Sequence, residues 1–88
     1  MLKIEFAKSF KKSYKKLNQK ERELFENISF KLANNETLEA KYKDHALKGD
    51  LIDFRECHLK PDLLLIYQKQ DDKLILYCLN IGSHSELF

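Results

Sequence analysis

Five apolar residues in a row, Leu63-Leu64-Leu65-Ile66-Tyr67, constrain this chain more than any other feature. A half-buried strand needs only alternate apolar residues, so a continuous run marks a strand covered on both sides, at the centre of a sheet. Directly before it stands Arg55-Glu56-Cys57-His58-Leu59-Lys60-Pro61-Asp62. Pro61 has no N–H to give to a ladder, so Lys60-Pro61-Asp62 reads as the turn of a hairpin. The strand entering that turn is expected to begin with Leu51-Ile52-Asp53-Phe54. Alternation puts Phe54, Glu56 and His58 on one face and Arg55, Cys57 and Leu59 on the other. The turn would hold His58 and Asp62 near each other at its tip. The plain alternative is a polar hairpin whose charges only face water.

The remaining periodicities supply partners for that strand. Leu2-Lys3-Ile4-Glu5-Phe6 alternates and reads as a short first strand. From Ala7 the period becomes helical through Phe10, Tyr14 and Leu17, with lysines over the other face. Asn18 marks the turn into a second helix from about Lys20 to Ala33, with Leu24, Phe25, Ile28 and Leu32 inward and Phe30 off the stripe. Asn34-Asn35 can close that helix with a left-handed cap, and the segment to Lys43 reads as a loop. Gly49-Asp50 and Gln70-Asp71-Asp72 are turn signals, and Lys73 to Ile81 forms the last long strand. The order β-α-α-β-β-β gives a single α+β domain over residues 1–88: an antiparallel sheet of about four strands with a two-helix hairpin on one face.

Charge is unevenly spread within a net of +2. Residues 1–20 hold seven lysines against the one acid Glu5, a balance of +6, which leaves −4 for the rest of the chain. A basic segment of this density is either a solvated helix face or an electrostatic footprint for a polyanion, ribosomal RNA among them. Hydrophobic residues make up 43% of the chain, enough for a folded globule. No apolar run approaches the roughly 20 residues of a membrane span, and the N-terminus lacks a signal-peptide pattern, so a cytoplasmic protein with no membrane partner is expected. Cys57 and Cys78 fall on separate strands without CxxC spacing and read as reduced, packed thiols.

The three histidines each stand in a short polar motif beside a strand. They lie in Asp44-His45-Ala46-Leu47-Lys48-Gly49, in the Phe54–Tyr67 stretch, and in Gly82-Ser83-His84-Ser85-Glu86-Leu87-Phe88. In that order and spacing, the three motifs resemble the YafQ branch of the RelE/ParE toxin superfamily; the N-terminal half resembles it only in its helical pattern. The resemblance implies a RelE-like fold and a small bacterial toxin that cleaves mRNA, usually on the ribosome, and is silenced by a partner antitoxin. No cofactor is implied.

RNA carries its own nucleophile, the 2′-OH. A base removes its proton, the oxygen attacks the adjacent phosphate, an acid protonates the leaving 5′-oxygen, and cationic donors neutralise the transition state. The resemblance places the functional positions at His45, His58, Asp62, His84 and Phe88. It suggests His84 as general acid and Asp62 as general base, with His45 and His58 at the scissile phosphate; base duty at His45 is equally sensible chemically. Phe88 would stack on a nucleobase, or else fold onto the core. Arg55 and Lys60 are candidate phosphate contacts, and Arg55 could instead pair with Glu56 or Glu86. Leu63 stands where family members often carry Trp, which removes one stacking surface. Two other readings stay open: a metal-dependent nuclease, although the histidines lack HxH or HxxxH spacing, and a non-catalytic ParE-like or nucleic-acid-binding module.

Overall fold

In a computed structural model describing residues 1–88, the chain opens with strand β1 (Lys3–Phe6) and turns at Ala7 into helix α1 (Lys8–Tyr14). Two serines of α1 hold it to a distant strand. The Ser9 hydroxyl donates to the Leu79 carbonyl at 2.6 Å, and that of Ser13 donates to Asn80 Oδ1 at 2.8 Å. Helix α2 (Gln19–Ala33) starts from Asn18, whose side chain accepts from the Glu21 amide at 2.8 Å while Glu21 returns a carboxylate to the Asn18 amide at 2.9 Å. This reciprocal cap satisfies two amides that a helix start otherwise leaves open. Asn35, at φ 59°, ends α2 in the left-handed conformation its sequence predicts.

The rest of the chain builds the sheet: β2 (His45–Ala46), β3 (Arg55–Lys60), β4 (Leu63–Gln70) and β5 (Ile75–Gly82), closed by the one-turn helix α3 (His84–Leu87). The spatial order is β1-β5-β4-β3-β2. β4 and β5 are interior strands, as the apolar run requires.

Three expectations need correction. The sheet has five strands, not about four, and it is mixed, because β1 runs parallel to β5 while the other pairs are antiparallel. Leu51–Phe54 is not strand: Gly49–Leu51 is a turn of 3-10 helix, and the Phe54 amide closes back on the Leu51 carbonyl at 2.9 Å. β2 is only two residues long and offers these residues no further ladder. The last strand starts at Ile75 and not Lys73, because Asp71–Lys73 is another 3-10 turn and Leu74 takes φ 56°.

The two faces of the sheet differ. Cys57, Leu65, Tyr67, Leu76 and Cys78 join Phe10, Phe25, Ile28 and Leu32 of the helices in one buried core. Fully burying an aliphatic or aromatic side chain of this size contributes about 1.5–3 kcal/mol. Leu64 and Ile66 are equally buried but alternate to the opposite face and stand outside that core cluster. That second face carries His45 and His58.

Candidate active site

Register brings the first group together. His45 pairs with Glu56 across β2 and β3, Glu56 with Ile66 and His58 with Leu64 across β3 and β4, and Leu64 with Gly82 across β4 and β5. Residues directly opposite in a ladder share a face. His45, Glu56 and His58 therefore stand on one surface floored by Leu64 and Ile66. The segment leading into His84 begins two strands away from His58, roughly 10 Å at about 4.8 Å per strand.

Glu56 is the centre of this group. It is 5% exposed, and its Oε1 lies 3.3 Å from His58 Nε2 and 3.7 Å from His45 Nε2. One buried carboxylate thus faces two imidazoles. Burying a charge demands such company. Sequence reasoning placed Glu56 beside His58 by alternation but gave it no role at the site; the signal was the i, i+2 spacing of an acid and a histidine on one strand.

The ring of His45 is oriented by its own turn. Its Nδ1 lies 2.6 Å from the Lys43 carbonyl, which can only accept, so Nδ1 carries the proton and Nε2 faces Glu56. Lys43 adopts φ 49° to make that approach. The preceding residue is clamped as well. Asp44 Oδ1 accepts from the Tyr67 hydroxyl at 2.6 Å and from Arg55 Nε at 3.2 Å. Burial, and then the bond to Asp44, push the Tyr67 phenol up, so it stays a donor. Asp44 is a residue that sequence reasoning passed over.

A second group forms at the end of β5. Asp62 Oδ1 accepts the His84 backbone amide at 3.1 Å, which ties the β3–β4 turn to α3. Ser83 caps α3 in a box with Glu86, whose Oε1 accepts the Ser83 amide at 2.8 Å. That backbone bond, with a second from the Ser83 hydroxyl, holds the Glu86 carboxyl below its usual range. Gly82 leaves the carboxylate room, since a Cβ there would stand 3.0 Å from Glu86 Oε1. Phe88 is exposed, and its ring centroid lies 5.2 Å from that of His84.

The predicted residues thus fall into two sets, His45 with His58 through Glu56, and Asp62 with His84 and Phe88. Asp62, expected near His58 at the tip of the turn, has its hydrogen bond with the His84 segment. Arg55 points to the helix side of β3, where it pairs with Asp44 and not with Glu56 or Glu86. Lys60 Nζ lies 2.9 Å from Glu21 Oε2, and this bond is the main reason the Glu21 carboxyl sits below its usual range. Burial pushes both thiols, Cys57 and Cys78, up to about 12, which leaves them protonated packing groups. No three His, Cys, Asp or Glu side chains meet in a group able to hold a metal ion, and the two imidazoles instead turn Nε2 to a shared oxygen.

This fold has known counterparts. Residues 2–88 match the family model described as the bacterial toxin of the type II toxin–antitoxin system, YafQ. The mRNA interferase toxin YafQ of Escherichia coli K12 is 34% identical over 88 residues, 97% of this chain and 94% of that protein. Among solved structures, a metal-bound toxin from Helicobacter pylori superposes with a TM-score of 0.88 at 48% identity, covering 100% of both chains. YafQ in the E. coli DinJ–YafQ complex superposes with a TM-score of 0.83 at 31% identity, covering 100% of this chain and 99% of that one. The chain belongs to the YafQ family of bacterial type II toxin–antitoxin toxins.

Proposed function

We propose that this toxin is an endoribonuclease that inhibits translation by cutting mRNA, using the RNA's own 2′-OH as nucleophile. The observation that carries the reading is the buried Glu56 carboxylate set between two imidazoles on the open face of the sheet, with a third histidine held by Asp62 at the adjoining strand end. The E. coli relative named an mRNA interferase supports the same substrate.

His84 serves as general acid, exposed at the start of α3 and beside the Phe88 ring that stacks on a base. Two groups compete for base duty. Asp62 spends one oxygen on the His84 amide, whereas His45 turns Nε2 toward the Glu56 carboxylate, which stands where positive charge appears on the ring when that nitrogen takes a proton. The geometry favours His45. His58 contacts the scissile phosphate, with Arg55 and Lys60 as outlying cations.

Incubating the purified protein with RNA in EDTA tests the reading. Products ending in a 2′,3′-cyclic phosphate (or its hydrolysis product) and a 5′-OH are expected without metal. The metal-bound H. pylori relative favours a second reading, in which cleavage appears only when a divalent ion is restored. No cleavage under either condition would leave a binding module. The toxin acts on the ribosome in this reading, and its neutralisation by a cognate antitoxin is supported by the E. coli DinJ–YafQ toxin–antitoxin complex. Co-expression with the adjacent gene should restore growth and give a co-purifying pair; two proteins that never associate would contradict this part.

A further inference from the structure

Beside His58 lies a cavity of about 490 Å³, most of whose lining has no assigned role. Its floor is apolar: Leu24 from α2, Leu59 from β3 and the buried ring of Tyr42. Its rim is cationic, with Lys41 and Lys43 from the loop before β2 and Lys60 from the end of β3. His58 forms one wall, the same imidazole that faces Glu56. A bulge between His58 and Lys60 interrupts the alternation there, which lets His58 and Leu59 border one space. No carboxylate lines the cavity.

We propose that this cavity seats the nucleotide next to the scissile phosphate, with its base on Leu24, Tyr42 and Leu59 and its phosphate on Lys41 and Lys43. The proposal rests on the nuclease reading and gives that site a substrate subsite. Lys60 is neutralised by Glu21 at 2.9 Å, so the free cations of the rim are the other two lysines. Lys41 Nζ stands 5.2 Å from the Tyr42 ring centroid, which holds the ammonium over the aromatic floor. The Lys43 backbone is held by its left-handed conformation and by the His45 Nδ1–H that its carbonyl accepts. A ligand satisfying this space is flat, partly apolar and anionic. Single-stranded RNA offers such groups, since its unstacked bases are read on aromatic surfaces while cations follow the backbone. The volume lies within the roughly 300–1,000 Å³ of ordinary ligand pockets. A second groove, of about 640 Å³ and lined by Phe6, Phe10, Tyr14, Phe25 and Phe30, borders no histidine and lacks this link to the chemistry.

Two measurements decide it. Labelled protein titrated with the four nucleoside 5′-monophosphates should show shifts at the Leu24 and Leu59 methyls and the His58 ring, with tighter binding than inorganic phosphate. Lys41→Gln with Lys43→Gln should weaken that binding about tenfold. Shifts elsewhere, or an equal response to phosphate alone, would overturn the proposal. In cleavage assays the double variant should raise KM at unchanged kcat and make the salt dependence shallower by roughly 0.7 log units per decade, the worth of one phosphate contact on a single strand. An unchanged slope, or a loss confined to kcat, would also overturn it. Absence of RNA cleavage in the parent protein would refute the nuclease reading, while the titration would still decide whether the cavity takes a nucleotide.

Discussion

Tyr67 is buried in the core, yet its hydroxyl reaches the residue immediately before His45. Tyr67→Phe keeps the ring packing and removes only that donor, so Asp44 loses its shortest bond and the His45 turn loosens. The expected result is a fall in kcat of about tenfold with KM nearly unchanged, of the order that a slightly misplaced catalytic group costs. Nitrogen NMR should show His45 losing its Nδ1–H preference; a variant that only melts earlier, with the tautomer intact, would make the clamp structural. His84 allows a sharper test of role. His84→Ala should slow cleavage by roughly 10²–10⁴-fold, the usual worth of a positioned acid. The defect should shrink for a substrate with a 5′-thio leaving group, because a thiolate departs without a proton. His58→Ala should gain nothing from that substrate, and equal rescue of both variants would refute the division. At this scale alternation along β3 made the Glu56–His58 face legible. The Asp44 clamp was hidden because its partners lie 11 and 23 residues away in sequence.

Caps and turns decide where each element begins, and two of them make separate predictions. Glu21 serves the α2 cap and the bond to Lys60 at once, and the latter is the larger cause of its lowered pKa. A carboxyl depressed in the folded state stabilises above its unfolded value, and that contribution fades as pH falls through the folded one. Glu21→Gln should therefore melt earlier than the parent at neutral pH, with the two curves converging in acid below the ordinary Glu range; a gap that persists there would assign the loss to packing. Leu74 holds φ 56° while 66% exposed. Left-handed backbone costs an L residue about 1–2 kcal/mol, and little packing is lost at so exposed a site. Leu74→Gly should raise Tm by a few degrees, since about 1 kcal/mol moves a domain of this size by roughly 4–8 °C, less the entropy glycine adds to the unfolded chain. An unchanged or lower Tm would show that the turn bears no such strain. These positions explain why the sequence was legible for the long elements and not for their joints. Leucine carries no turn signal, and a two-residue β2 has no periodicity to detect.

Across the whole molecule the sheet separates two surfaces. His45 and His58 stand on the sheet face opposite the helical core, whereas α1, with Lys8, Lys11 and Lys12, packs on the other side against β5 and only its end, at Ser13 and Lys16, comes near Asp62 and Glu86. That separation could not be read from the sequence, because the partner of α1 is set by Ser9 and Ser13 reaching Leu79 and Asn80, nearly the full chain away. On the helix side, Phe30, which no stripe placed, is 55% exposed and lines the phenylalanine groove together with Lys11 and Lys15. An apolar trough bordered by two ammonium groups and the one carboxylate of Glu26 would suit an antitoxin segment that is mainly apolar with some acidic residues and folds as it binds. Phe30→Ser should therefore weaken antitoxin binding, measured by calorimetry, and leave cleavage of a short free RNA untouched. Changing Lys8, Lys11, Lys12 and Lys15 to Gln addresses the ribosome instead. Fewer counterions are then released on binding, so ribosome affinity should fall and its salt dependence flatten, while the free-RNA rate at saturation stays within about twofold. Loss of ribosome binding and free-RNA turnover in equal measure would mean that α1 reaches the reacting strand, and the division between a chemical face and a docking face would not survive it.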